Sequence, residues 1–175
     1  MLMSASLIGV YGMGGIGKTT LVKEFARRAI EDKLYDKVAF SEVTQSPDIK
    51  KIQEEIAETL GLQLSEEAES RRAGRLYERL KNEKKILVIL DNIWMSLDLG
   101  TIGIPFGVEH RGCKLLFTTR DLDVLLRMES EKNFSIGILN EQEAWRMFKI
   151  MAGDYVEIRQ ASTKEYQQRH TQQLS

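Results

Sequence analysis

Gly12-Met13-Gly14-Gly15-Ile16-Gly17-Lys18-Thr19-Thr20 is the stretch that decides the fold. It follows a short apolar run, Leu7 to Tyr11, and precedes a segment, Leu21 to Glu31, with apolar residues at helical spacing. Strand, glycine loop and helix in that order, with the form GxxxxGK[ST], describe a phosphate-binding loop. Glycines permit tight backbone angles and close approach, so successive N–H groups can line an anion nest. The helix that follows turns its unpaired N–H groups toward the same place. Lys18 is expected to reach the β- and γ-phosphates of a nucleotide and Thr19 to ligate Mg²⁺. A plain strand-to-helix turn is the competing reading. The lysine, the threonine, their spacing and both flanks favour the phosphate loop.

Outward from the loop, strands and helices alternate. Val38 to Val43 reads as a strand, Thr44 to Asp48 as a turn, and Ile49 to Leu60 as a helix stopped by Gly61. A charged helix is expected around Glu66 to Asn82, with Ala73, Leu76, Tyr77 and Leu80 inward; with two helices between strands, one is free to pack at an edge. Ile86 to Asp91 is almost wholly apolar, as in a strand buried on both faces. Asn92 to Gly112 reads as loop with one short ordered piece, Cys113 to Thr118 as a buried strand, and Val124 to Met128 as a short helix capped by Asp121 or Thr119. Asn133 to Ile138 suggests a further strand, and Asn140 with Glu143 a capping-box start to a helix through Met151. The pattern predicts an α/β fold: three layers around a mostly parallel central sheet. Arg159 to Ser175 is glutamine-rich and poor in apolar residues and is expected to be disordered.

Bulk properties narrow the function classes. The chain has 175 residues, 42% hydrophobic and 29% charged, with a formal net charge of -1. One domain with a real core fits this length. Near-neutral charge gives no steering toward nucleic acid or anionic membrane. No segment has the apolar length of a transmembrane helix, and Met1 to Ser6 lacks the basic start of a signal peptide. A cytoplasmic protein is the expectation. Cys113 is the sole cysteine, so no intrachain disulfide forms, and its apolar surroundings suggest a buried small hydrophobe.

Asp91 is the second candidate site residue, since an acid at the end of a buried strand in this architecture reaches Mg²⁺ directly or through water. Asn92 stands where many hydrolytic members of the fold carry a second acid. An amide orients water but accepts no proton usefully, so hydrolysis is expected to be slow or absent unless another group, such as Glu109 or Glu129, approaches. Thr118-Thr119-Arg120 lies at the carboxyl edge of the sheet, near the ligand crevice, and Arg120 is placed to sense a γ-phosphate; a surface arginine is the alternative. Trp94 and Trp145 read as packing residues. His110 and His170 lack the partners of a metal pair. Arg71-Arg72 and Lys84-Lys85 read as solvated helix faces.

Four ordered blocks carry a resemblance: GMGGIGKTT (Gly12 to Thr20), KILVILDNIW (Lys85 to Trp94), GCKLLFTTR (Gly112 to Arg120) and FSIGILNEQEAWRMFKIMA (Phe134 to Ala152). Together they resemble the NB-ARC nucleotide-binding domain of plant intracellular immune receptors. The DNIW form and Ile102 to Gly107 resemble its coiled-coil class. The resemblance implies a P-loop NTPase fold over residues 1–157, with 158–175 a divergent tail. It implies a switch that holds ADP when inactive and ATP when active in defence and cell-death (hypersensitive) signalling. It implies binding by Gly12, Met13, Gly14, Gly15, Ile16, Gly17, Lys18, Thr19 and Thr20, with Asp91 and Arg120, and Mg²⁺ held by Thr19 and Asp91. In a full receptor the partners would be leucine-rich repeats of the same chain and further receptor copies. The GLPL and MHD motifs and the repeats are not among these residues, so the chain is expected to be a fragment open on the adenine side. An active ATPase and an adaptor or decoy that binds no nucleotide are the alternatives.

Overall fold

A computed structural model describes residues 6–106 and 112–137, and beyond them Gln142, Glu143 and Arg146. Five strands, β1 (Leu7–Tyr11), β2 (Lys37–Glu42), β3 (Ile86–Ile93), β4 (Cys113–Thr119) and β5 (Lys132–Ser135), form one parallel sheet in the order β2-β3-β4-β1-β5. The helices are α1 (Lys18–Glu31), α2 (Ile49–Thr59), α3 (Glu69–Lys81), α4 (Leu99–Ile102) and α5 (Leu122–Arg127). This is the expected three-layer arrangement.

The apolar runs explain the layers. Along β3, Ile86, Val88 and Leu90 face one core with α2, α3, α4 and α5, while Leu87 and Ile89 face another with α1. Leu115 and Phe117 of β4 join the first core and Leu116 the second. Period-2 alternation is therefore present in space but hidden in composition, because both faces are covered. Burying each such side chain stabilises the fold by about 1.5–3 kcal/mol. Helix α1 presents Val22, Phe25 and Ala29 to its face of the sheet. Helix α3 packs on α2 and α4, so the second crossover helix thickens the opposite layer.

Arg72 departs from the sequence reading. Arg71 is exposed, but Arg72 is buried. Its guanidinium donates to Gln53 Oε1 (3.1 Å), Leu64 O (3.0 Å), Lys50 O (3.3 Å) and Glu54 Oε2 (2.5 Å). The Gln53 amide in turn donates to the carbonyls of Glu69, Thr101 and Ile102. Tertiary packing of α2, α3 and α4 thus buries a charge that local composition leaves in water, and hydrogen bonds satisfy it. Cys113 is buried as expected, which pushes its thiol up to about 12.

Boundaries differ modestly. Helix α1 begins at Lys18 and β3 runs past Asp91 to Ile93 through a register shift. Asp121 caps α5 by accepting from Asp123 N–H. The short piece in the long loop is α4, capped by Asp98. The helix expected from Asn140 to Met151 lies largely outside the described residues, although Gln142, Glu143 and Arg146 are helical. Ile138, Glu109, His110, Trp145, His170 and the tail also lie outside them.

Candidate phosphate site

Strand β1 lies inside the sheet, between β4 and β5. The loops at the carboxyl ends of β1, β3 and β4 therefore converge, as ligand crevices do in open parallel sheets. A cavity of about 330 Å³ opens there, lined by Gly14, Gly15, Gly17, Lys18, Thr19, Thr20, Glu42, Asn92, Thr118 and Arg120.

The loop after β1 turns through Gly15 (φ 76°) and Gly17 (φ 96°), left-handed conformations that favour glycine. Gly17 is the residue before α1, and no side chain caps that helix. Helices α2, α4 and α5 are capped by Asp48, Asp98 and Asp121, and α3 carries Glu69 in its first turn. Among the described helices, α1 alone has neither a side-chain cap nor an acid in its first turn. Its positive end is left to whatever enters the cavity.

Lys18 is buried, and its ammonium donates to Gly12 O (2.6 Å) and Met13 O (2.7 Å). Burial and the nearby Arg120 hold its pKa below the ordinary lysine value, while Asp91 pulls the other way. A ligand anion between these two cations would relieve the strain of gathering them. Ile16 packs into the α1-side core, and Met13 projects into solvent. Gly12, Met13 and Ile16 thus shape the loop, while the other loop residues line the cavity.

Asp91 is buried beneath the loop. It accepts from Thr19 Oγ1 at 2.7 Å and from the Thr118 hydroxyl. The Thr118 oxygen also accepts from the Asn92 N–H at 2.8 Å. Thr19 and Asp91 form an all-oxygen donor pair, the hard set that suits Mg²⁺ completed by phosphate oxygens and water. Among the described residues, no group of three or more His, Cys, Asp or Glu is arranged around a metal position; the sparse pair fits a shared metal rather than a protein cage.

Asn92 is left-handed (φ 62°) at the register shift, a conformation asparagine tolerates better than most residues. Glu129 is not among the cavity-lining residues. Among the described residues, the acid in the wall is Glu42, which pairs in register with Asp91 across β2 and β3. Thr118 stands at the crevice, where its place at the end of an apolar strand put it, and its bond to Asp91 is what the sequence did not reveal. Sequence reasoning missed Glu42, which required the register. Trp94 does more than pack: the Arg120 guanidinium lies 4.9 Å from its ring centroid.

The NB-ARC domain model matches residues 2–156. Disease resistance protein At4g27190 of Arabidopsis thaliana is 38% identical over 156 residues, 87% of this chain and 16% of that protein. Disease resistance protein RPS5 of the same plant is 35% identical over 154 residues, 85% of this chain and 17% of that protein. The chain thus spans about a sixth of these curated relatives. Among solved structures, Cdc6p of Pyrobaculum aerophilum superposes with a TM-score of 0.55 at 14% identity, covering 85% of this chain and 44% of that one. The Aeropyrum pernix ORC2 protein, solved as ADPNP-ADP complexes, gives 0.53 at 21% identity, covering 85% and 46%. At such identities the likeness concerns the P-loop NTPase fold.

Proposed function

The chain belongs to the NB-ARC domain family, and on that premise we propose that it is the nucleotide-binding segment of a plant disease resistance receptor, with ADP and ATP exchanged as switch ligands. The observation that carries this is the start of α1: an uncapped helix end fronted by buried Lys18 and by Arg120, beside a cavity of phosphate size. Loop N–H groups would hold the inner phosphates and Lys18 the β- and γ-phosphates. Thr19 and Asp91 would hold Mg²⁺, which neutralises phosphate charge when bound. Arg120 would meet a terminal phosphate.

Binding sets the receptor's state in this reading, and defence signalling follows from the whole protein. Leucine-rich repeats of the same receptor and further receptor copies are its proposed partners, in the cytoplasm. No helix among the described residues is long and apolar enough to cross a membrane. Domain bounds of 1–157 for the nucleotide-binding part and 158–175 for a tail belong to this proposal; the family match ends at 156.

Calorimetric titration with ADP and ATP, with and without Mg²⁺, tests it. The expected result is weak binding, ADP at least as good as ATP, lost in Lys18→Ala. A folded sample that takes up neither nucleotide refutes the proposal and leaves an adaptor or decoy. Glu42 favours a second reading, slow ATP hydrolysis, because a carboxylate in the wall beside Asn92 offers the proton acceptor that Asn92 lacks. Phosphate release above the Lys18→Ala background, removed by Glu42→Gln with ATP affinity retained, supports that reading; absence of turnover rejects it.

A further inference from the structure

Arg120 presents a positioning problem. Its side chain is exposed, on a segment just past the end of β4, and no carboxylate or carbonyl among the described residues accepts from its guanidinium. A solvated arginine with no partner has many rotamers and would reach a ligand only after losing that freedom. Yet it is held close over the phosphate loop: a Cβ added at Gly14 would lie 2.8 Å from Arg120 Cζ and 2.9 Å from Nη1. The same guanidinium lies over the Trp94 indole, with Cζ 4.9 Å from the ring centroid.

The sheet register explains the meeting. Ile93 pairs with Thr119 in the β3–β4 ladder, so the next residues, Trp94 and Arg120, leave neighbouring strands side by side. Trp94 is 37% exposed, too open to be explained as core packing. A planar cation over an indole face is attracted by the ring's electron density. The ring contact uses no oxygen acceptor, so the guanidinium keeps N–H donors for an anion.

We propose that Trp94 is a positioning residue: its indole holds Arg120 over Gly14 and so sets how strongly the site distinguishes a nucleoside triphosphate from a diphosphate. The inference rests on the nucleotide-binding reading above and deepens it. Loop N–H groups and Lys18 grip the inner phosphates whether or not a third is present. Arg120 reaches the cavity from the end of β4, the strand that also supplies Thr118 beside Asp91, one of the two residues that would hold Mg²⁺. Pre-ordering Arg120 therefore favours the ligand with the additional phosphate.

The test is calorimetry on the full chain with ADP and with a non-hydrolysable ATP analogue, both with Mg²⁺. Proteins compared are wild type, Trp94→Ala, Trp94→Phe, Arg120→Ala and the Trp94→Ala/Arg120→Ala double variant. Trp94→Ala is expected to weaken the triphosphate about three- to tenfold and to leave ADP within about twofold. Trp94→Phe should recover at least half of the effect, and the double variant should bind like Arg120→Ala. Equal losses for both nucleotides, no change in either, or multiplying losses in the double variant would each overturn the role of Trp94 while leaving nucleotide binding intact. If Trp94→Ala does not fold, the Phe variant decides by the same ratio: a loss shared equally by both nucleotides refutes the proposal. Wild type that binds neither nucleotide removes the underlying reading and this inference with it.

Discussion

Thr118→Val isolates the hydroxyl that holds Asp91. The side chain is 1% exposed, and its oxygen donates to Asp91 while accepting from the Asn92 N–H. Valine keeps the shape and removes both bonds. Loss of a hydrogen bond to a charged group costs about 1.5–3 kcal/mol, and an orphaned buried N–H about 1–3 kcal/mol. Asn92 is only half-buried, so water recovers part of the second term. A net loss of about 2.5 kcal/mol follows from the lower ends of both ranges. With a urea slope of about 2 kcal/mol per molar, the unfolding midpoint should fall by about 1.2 M. Thr118→Ser retains the hydroxyl and should recover most of that. The same change leaves Asp91 tethered through Thr19 alone, so the gain in nucleotide affinity on adding Mg²⁺ should shrink several-fold in Thr118→Val. Urea unfolding followed by circular dichroism reads the first effect and calorimetry the second. A midpoint drop below about 0.3 M, with the Mg²⁺ dependence unchanged, would refute the claim that this hydroxyl orients the acid.

Arg72→Ala strands the Leu64 carbonyl and the Gln53 amide oxygen and should cost about 3–4 kcal/mol, lowering the melting temperature by about 8–14 °C; exposed Arg71→Ala should leave it nearly unchanged. Cys113, its thiol raised to about 12 by burial, should resist alkylation at pH 8 in the folded protein and react fully in denaturant. The thiol's folded value lies above its ordinary 9.0, so its contribution is complete below pH 9 and lost as pH rises toward 12; Cys113→Ala should flatten that alkaline loss in urea titrations. Hydrogen bonds from Arg27 and then Arg28 hold the Glu24 carboxyl at about 2, below its ordinary 4.5. Its contribution is therefore present above pH 4.5 and lost as pH falls toward 2. Glu24→Gln should reduce the difference between urea midpoints at pH 6 and pH 3, modestly because the cluster is exposed.

The parts of this molecule that local sequence dictates were legible. Nine consecutive residues supply the phosphate loop, and their requirements for tight turns, a cation and a hydroxyl are all short-range. Strand β3 announced burial on both faces because its run from Ile86 to Leu90 is wholly apolar, and β4 through Leu115, Leu116 and Phe117 at its centre. What required the fold was any contact fixed by register or by helix packing. Glu42 enters the cavity because it pairs with Asp91, and Trp94 meets Arg120 because Ile93 pairs with Thr119. Arg72 did leave a trace: it precedes Leu76 and Leu80 at four-residue steps, on the face that α3 buries. Charge outweighed periodicity in that reading, whereas in the fold Gln53 and the ends of nearby segments supply enough acceptors for the periodicity to prevail. Asn92 shows two pressures on one position. Its amide bears on hydrolysis, and its backbone meets the left-handed bend at the end of β3.

The interior position of β1 also dictates an order of events. The strand that carries the loop pairs only with β4 and β5, and the Glu131 carboxylate that accepts from the Ser6 N–H is 125 positions away along the chain. During synthesis, at about 5–20 residues per second, the loop's residues are complete many seconds before either neighbouring strand exists. Closing so long a span also slows folding in general. The nucleotide grip is encoded early and assembled late. Premature capture of ligand by a nascent chain is thereby discouraged, and ligand should speed the last pairing step rather than the first.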